Sequence, residues 1–333
     1  MRLIVMGTPA FAVPSLERVV AAGHEVRLVV CQPDRPAGRG QRLQAPPVKA
    51  AALRLGLPVA QPETFRDPAA VALLAQHAPE AIAVVAYGQI LPRAVLELAP
   101  HGCLNVHASL LPAYRGAAPI PRALLRGEAE TGITIIRLVE RMDAGPMLLQ
   151  RREAIRPEDD AGTLGERLAL LGAEALVEAL GLLAAGRAEA REQDEAAATY
   201  APKLTAADQV LDWKEPAAAL HRRVRALAPQ PGAQTTARGR LVKVLAAEAR
   251  EGAPARWQGA EPGTVVALAP EGILVRAGEG CLLLARVQPE GKRPMAAADF
   301  ARGARLDPGA RLGPPDRGEP GGPPAPSHER PQG

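Results

Sequence analysis

Aromatic side chains are nearly missing from this sequence: three Phe, three Tyr and two Trp make up 2% of its 333 residues. So few rings exclude recognition of nucleic acid by a platform of stacked bases. Any such contact has to run from Lys and Arg to phosphate. Cysteine is as scarce. Cys31, Cys103 and Cys281 are odd in number, far apart and without Cys-x-x-Cys spacing. Neither a disulfide framework nor a structural zinc site is expected, and a reducing compartment fits. No apolar run reaches the length of a membrane span. The short one behind Arg2 is too brief for a signal peptide and reads as a buried first strand. Excess charge is lacking too: 40 Lys+Arg against 36 Asp+Glu leave +4. That allows an RNA partner without requiring one, since placement matters more than the sum. The expectation is a cytoplasmic protein without membrane contact, and nothing demands more than a monomer.

What the chain does have is apolar residues, 47% of the total, enough for a sizeable core in one large or two ordinary domains. The runs Leu3–Met6, Val26–Cys31, Ile82–Ala86 and Cys103–His107 are apolar nearly throughout and alternate with helical patterns near 48–55, 69–76 and 93–98. Strands of this kind predict a parallel sheet covered on both faces, a Rossmann-like α/β domain. The β-type segments Thr131–Val139 and Met147–Ile155 would close it. Thr163 and Glu166 suggest a capping box opening a long helix with Leu164, Leu168, Leu171, Leu176, Leu180 and Leu183 on its apolar face. Residues 188–207 read as a linker after a domain of residues 1–187. From 208 to 312 a helix at 217–227 and short β runs separated by Gly and Pro predict a small barrel. From 313 to 333 Pro and Gly dominate, with almost nothing to bury, and a disordered tail is expected.

The stretch richest in chemistry runs from Cys103 to Pro119. Asn105 and His107 stand two apart at the carboxyl end of a predicted strand, so they share one face at the place where open parallel sheets bind ligands. An amide able to donate to an oxyanion lies beside an imidazole able to hold or release a proton. Asp143, in the turn Met142-Asp143-Ala144-Gly145-Pro146, is a candidate to orient that ring. Local context alone also suits an ordinary capped strand end and an ordinary turn residue. Asn is a poor zinc ligand and no second Cys/His pair is near, so no metal is expected. Gly7-Thr8-Pro9-Ala10 lacks the Gly-x-Gly-x-x-Gly of dinucleotide-binding turns, which argues against a dehydrogenase.

Asn105-Val-His107-Ala-Ser109-Leu-Leu-Pro112 followed by Arg115-Gly116-Ala-Ala-Pro119 resembles the signature of the folate-dependent formyltransferases. Asp143-Ala-Gly145 is similar to the family's aspartate element. The likeness spans roughly residues 1–310 and implies 10-formyltetrahydrofolate as formyl donor and no metal. It implies Asn105, His107 and Asp143 as the catalytic set. It also implies that the Ser109-Leu110-Leu111-Pro112 turn borders the folate, with Val85, Ala86 and Tyr87 lining the pterin pocket. On that reading Asn105 donates to the formyl oxygen as it gains charge. Asp143 fixes the ring and favours its charged form, and His107 moves a proton toward the folate nitrogen. Which group deprotonates the attacking amine stays open.

Several such enzymes differ only in acceptor. Between a strand and a helix, residues 32–49 form a Pro/Gly-rich excursion with Arg35, Arg39, Arg42 and Lys49 against one Asp34, far longer than such connections usually are. It resembles the insertion of methionyl-tRNA formyltransferases. That implies methionine-charged initiator tRNA as acceptor and partner, with Arg39 at the recognition position and Arg35, Arg42 and Lys49 as phosphate contacts. The family's C-terminal domain resembles an oligonucleotide-binding barrel, and here it would bind tRNA. Where the family tends to carry aromatics around Pro-x-Pro-Gly-Ala, this chain has none at Pro229–Gly232, so that loop is not expected to stack on bases. Sugar-nucleotide amines are the main alternative acceptor.

Overall fold

The computed structural model describes residues 1–37, 42–252 and 254–314, with backbone only at Ala37 and Arg42. The expectations for Arg39, for the Arg42 side chain and for the tail beyond Pro314 lie outside the described residues. Contacts divide the chain into two compact units. One holds Met1–Thr205 and Arg225–Pro231; the other holds Ala206–Val224 and the chain from Gly232 onward.

The first unit runs β1 (Arg2–Gly7), α1 (Val13–Ala21), β2 (Glu25–Val30), β3 (Arg35–Ala37), β4 (Arg42–Gln44), α2 (Pro47–Arg54), β5 (Val59–Ala60), α3 (Pro68–Gln76), β6 (Ala81–Val85), α4 (Arg93–Leu96), β7 (Cys103–His107), α5 (Pro119–Arg126), β8 (Glu130–Arg137), β9 (Met147–Ala154) and α6 (Ala161–Ala184). Its seven-stranded sheet has the order β5-β2-β1-β6-β7-β8-β9. β1, β2, β5, β6 and β7 are parallel, and β8 alone runs against its neighbours. Leu3, Ile4, Val5 and Met6 are wholly buried because both faces of the sheet are covered. The order reverses between β1 and β6, and the crevice at that switch point is where such sheets hold ligands.

On one face β7 contributes Leu104 and Val106 to a core shared with α1 and α6. On the other, Cys103 packs with Val84, Leu91 and Val95, and Asn105 and His107 follow on that same face. α6 approaches β7 closely at Gly172, where a Cβ would sit 2.7 Å from Val106 Cγ1. The capping box of α6 starts three residues before the expected one. Asp160 Oδ1 accepts from the Thr163 N–H at 2.8 Å, while the Thr163 hydroxyl accepts from the Asp160 N–H at 3.1 Å. α5, which has no counterpart among the expected elements, opens on Pro119 and Pro121. They fall in its first turn, where the backbone N–H groups have no helical partner to lose.

Residues 188–205, expected as linker, belong to the first unit: Arg191 and Met147 exchange backbone hydrogen bonds and Gln193 is buried. The boundary expected at 187 therefore moves, because polar residues here find partners on the sheet domain.

The second unit contains α7 (Ala217–Leu227) up to Val224, then β10 (Ala233–Ala237), β11 (Arg240–Arg250), β12 (Val265–Ala269), β13 (Gly272–Arg276), β14 (Cys281–Pro289), β15 (Met295–Ala296), α8 (Ala297–Ala304) and β16 (Leu312–Gly313). Its antiparallel sheet runs β12-β13-β14-β11-β10-β16, with β15 on β14. The two ends of that order meet: Thr264 bridges Arg311, and the Leu312 N–H donates to the Gly263 carbonyl at 2.8 Å. This closes an antiparallel barrel around Val244, Val265, Ile273, Val275, Leu282 and Val287. Gly313, expected at the head of the tail, pairs with Thr236 as strand. Among the described residues no helix is long and apolar enough to cross a membrane.

Candidate active site

The three residues expected to act together are brought together in the first unit. β7 is held between Val84 on β6 and Ile136 on β8 at the level of Asn105, and His107 stands opposite Thr134. His107 is 5% exposed. Its Nδ1 lies 3.7 Å from Asp143 Oδ2, and its Nε2 lies 2.9 Å from the Tyr114 carbonyl. A carbonyl only accepts, so Nε2 carries a proton and Nδ1 is the nitrogen left facing the carboxylate. Asp143 Oδ2 also accepts from the Gly116 N–H at 2.8 Å. The Asn105 amide, half-buried on the same face, makes no hydrogen bond among the described residues. It is therefore available to a ligand.

The turn after His107 is tied to itself and to β8 and β9. The Ser109 hydroxyl donates to the Ala113 carbonyl at 2.6 Å, and the Leu111 N–H donates to the Thr134 hydroxyl at 3.0 Å. Gln150 donates to the Leu111 carbonyl at 2.7 Å. Ser109 and Leu111 are buried; Leu110 and Pro112 are half-buried, so only part of this turn is open to a ligand. At the end of β6, Val85 and Tyr87 are buried and Ala86 is exposed, with φ 47°. Burial pushes the Tyr87 hydroxyl up to about 12. A cavity of about 590 Å³ lies against the Asp143 turn, lined by Arg93, Leu96, Glu97, Arg137, Leu138, Val139, Glu140, Arg141 and Ala144. Its size is that of pockets that take small ligands. Cys103, on the same strand, is no thiolate, since burial pushes it up to about 12.

The basic excursion is anchored at its base. Lys49 Nζ bonds both Asp34 oxygens, at 2.9 and 2.8 Å, and Gln61 Oε1 at 2.7 Å. These acceptors engage its ammonium inside the fold, so Lys49 acts here as an internal tie. Arg35 is exposed and makes no ion pair among the described residues. Thr8 and Gln32, which sequence reasoning passed over, both donate to the Tyr87 carbonyl, at 2.9 and 3.3 Å. In the second unit Arg223 is held by Glu215 at 2.7 Å. Arg225, which belongs to the first unit, donates to carbonyls of Asp159 and Arg156 at 2.5 and 2.7 Å.

Residues 1–180 match the formyl transferase family, and residues 203–305 match the formyl transferase C-terminal domain. A methionyl-tRNA formyltransferase of Solibacter usitatus is 50% identical over 313 residues, covering 94% of this chain and 99% of the relative.

The chain belongs to the methionyl-tRNA formyltransferase family.

The enzyme of that name from Thiobacillus denitrificans is 51% identical, covering 94% of this chain and all of its own length (100%). Among solved structures, HypX from Aquifex aeolicus in complex with tetrahydrofolic acid superposes with TM-score 0.65 at 18% identity, over 92% of this chain and 47% of HypX. The N-formyltransferase from Helicobacter canadensis, in complex with folinic acid and dTDP-3-aminofucose, gives 0.62 at 15% identity, over 86% and 98%. At those identities the likeness is one of fold.

Proposed function

We infer that this chain transfers the formyl group of 10-formyltetrahydrofolate to the amino group of methionine on charged initiator tRNA. The observation that carries this is near-full-length identity of about half to relatives bearing that activity, across both domains. The alternative acceptor, a sugar-nucleotide amine, is represented by a fold relative of 15% identity bound to dTDP-3-aminofucose.

The catalytic set is Asn105, His107 and Asp143. Support comes from the free Asn105 amide on the face that carries His107, and from the carboxylate 3.7 Å from Nδ1. Asn105 donates to the formyl oxygen as charge gathers there; one such donor is worth about 3 kcal/mol. His107, fixed at Nε2 by Tyr114, takes up and passes on a proton at Nδ1 beside Asp143. The folate is held between the Val85-Ala86-Tyr87 segment and the Ser109–Pro112 turn. Arg39 reads the tRNA end with Arg35 and Arg42 on phosphate, and the barrel domain adds further contacts. The enzyme works in the cytoplasm as a monomer.

The test is formyl transfer from 10-formyltetrahydrofolate to charged initiator tRNA, with charged elongator tRNA and a sugar-nucleotide amine as parallel acceptors. Selective formylation of the initiator is expected. Transfer to the sugar-nucleotide amine alone would move the chain to the other acceptor class.

A further inference from the structure

Gln193 lies in the polar stretch whose composition reads as linker, yet its side chain is only 8% exposed. A carboxamide offers two N–H donors and an oxygen with two lone pairs, and here all four are used. Nε2 donates to the carbonyls of Asp143 and Gly145, each at 2.7 Å. Oε1 accepts from Nε and Nη2 of Arg115 at 3.0 and 2.8 Å. Arg115 is wholly buried and also bonds Glu195, at 3.1 and 2.8 Å. Glu195 in turn pairs with Arg141, two residues before Asp143.

Asp143 is thus gripped from two sides. Its carboxylate accepts from the Gly116 N–H, and its peptide carbonyl accepts from Gln193; both holders meet at Arg115. The turn needs such support. Asp143 has φ 49°, a left-handed conformation that Asp adopts only at single positions, and Gly145 passes so close to the Arg137 carbonyl that a Cβ there would lie 1.8 Å from it. Backbone of this kind persists only where its surroundings over-determine it.

We infer that Gln193 is a positioning residue, which acts through the Asp143 and Gly145 carbonyls to set the Asp143 carboxylate against His107. The inference rests on the reading of Asp143 as a member of the catalytic set. Leucine at 193 removes every hydrogen bond; glutamate keeps an acceptor for Arg115 but offers no donor to the two carbonyls.

The experiment measures kcat and KM for both substrates in Gln193→Leu, Gln193→Glu, Asp143→Asn and the Gln193→Leu/Asp143→Asn double variant, with melting temperatures alongside. Both Gln193 variants are expected to lose about tenfold or more in kcat, with KM values within about twofold. Gln193→Leu should cost nothing further once Asp143→Asn is present, since the two act on one step. Should Gln193→Leu unfold, Gln193→Glu, which keeps its Arg115 partner, carries the test. Unchanged kcat in the Gln193 variants with Asp143→Asn impaired, or an equal Gln193 cost in both backgrounds, overturns the positioning role and leaves the catalytic reading standing. Full activity of Asp143→Asn removes the catalytic reading itself, and the positioning role with it.

Discussion

The Nε2 atom of His107 lies 2.9 Å from the carbonyl oxygen of Tyr114, and this contact assigns the proton on the ring. Because the carbonyl can only accept, Nδ1, on the side of Asp143, is the nitrogen left open to take up or release a proton. His107→Gln keeps an N–H able to reach the Tyr114 carbonyl but has no nitrogen that titrates. The expected outcome is a folded protein that binds tRNA normally and loses about 10²-fold or more in kcat. Full turnover in a single-turnover assay would remove His107 from proton transfer.

The free amide of Asn105 gives a separate expectation. Asn105→Ala deletes a donor that engages nothing else among the described residues, so stability should change little. Turnover should fall by about 10²- to 10³-fold, the usual cost of one oxyanion donor. A melting temperature that falls with the activity would show that the amide has a structural duty.

At the base of the basic excursion Lys49 and Arg35 should behave differently. Lys49 is spent on Asp34 and Gln61, whereas Arg35 is exposed. Replacing a residue that touches phosphate lowers the slope of log affinity against log salt by about 1. Arg35→Ala is expected to do so. Lys49→Ala is expected to weaken tRNA binding by loosening the excursion, with the slope unchanged. A reduced slope in Lys49→Ala would return that residue to the phosphate contacts.

Acid sensitivity should trace to Asp159, at the start of α6. It is 2% exposed, and Arg167 beside it holds its carboxyl down to about 2, against an ordinary 3.8. Between those values the folded form holds the carboxylate charged while the unfolded chain takes up a proton. The stabilisation, roughly 2 kcal/mol, is therefore complete above the ordinary value and lost as pH falls toward 2. Asp159→Asn should melt lower at neutral pH and show a flatter decline on acidification. An identical acid profile would place the sensitivity elsewhere.

The close approach of α6 to β7 is testable at Gly172. With Val106 Cγ1 only 2.7 Å from the position of a Cβ, Gly172→Val must push the helix off the strand that carries Asn105 and His107. A loss of about 1–3 kcal/mol is expected from overpacking, read by denaturant unfolding. No loss would mean that Val106 rotates away freely.

Much of this was legible in the chain itself. β1, β6 and β7 are buried on both faces, so their apolar runs stand out without any neighbour, and the spacing of Asn105 and His107 follows from strand geometry alone. The Asn105–Pro112 and Asp143–Gly145 segments marked the family before any fold was drawn. Where the expectations slipped, the deciding partner was distant. α5 had no counterpart among the expected elements, and β10, Ala-Gln-Thr-Thr-Ala, has too little apolar pattern to announce a strand until β11 pairs with it.

The sequence by itself determined the layering, the residue types at the site and the kinship, because these rest on local periodicity and on motifs contiguous in the chain. Only the tertiary structure decided how the site is held. Asp143 meets His107 from 36 residues away, Gln193 reaches Asp143 from a stretch with a linker's composition, and Lys49 turns inward to Asp34. A hydrogen bond between residues far apart in sequence leaves no periodicity to read; it exists only once the backbone has brought donor and acceptor within 3 Å or so.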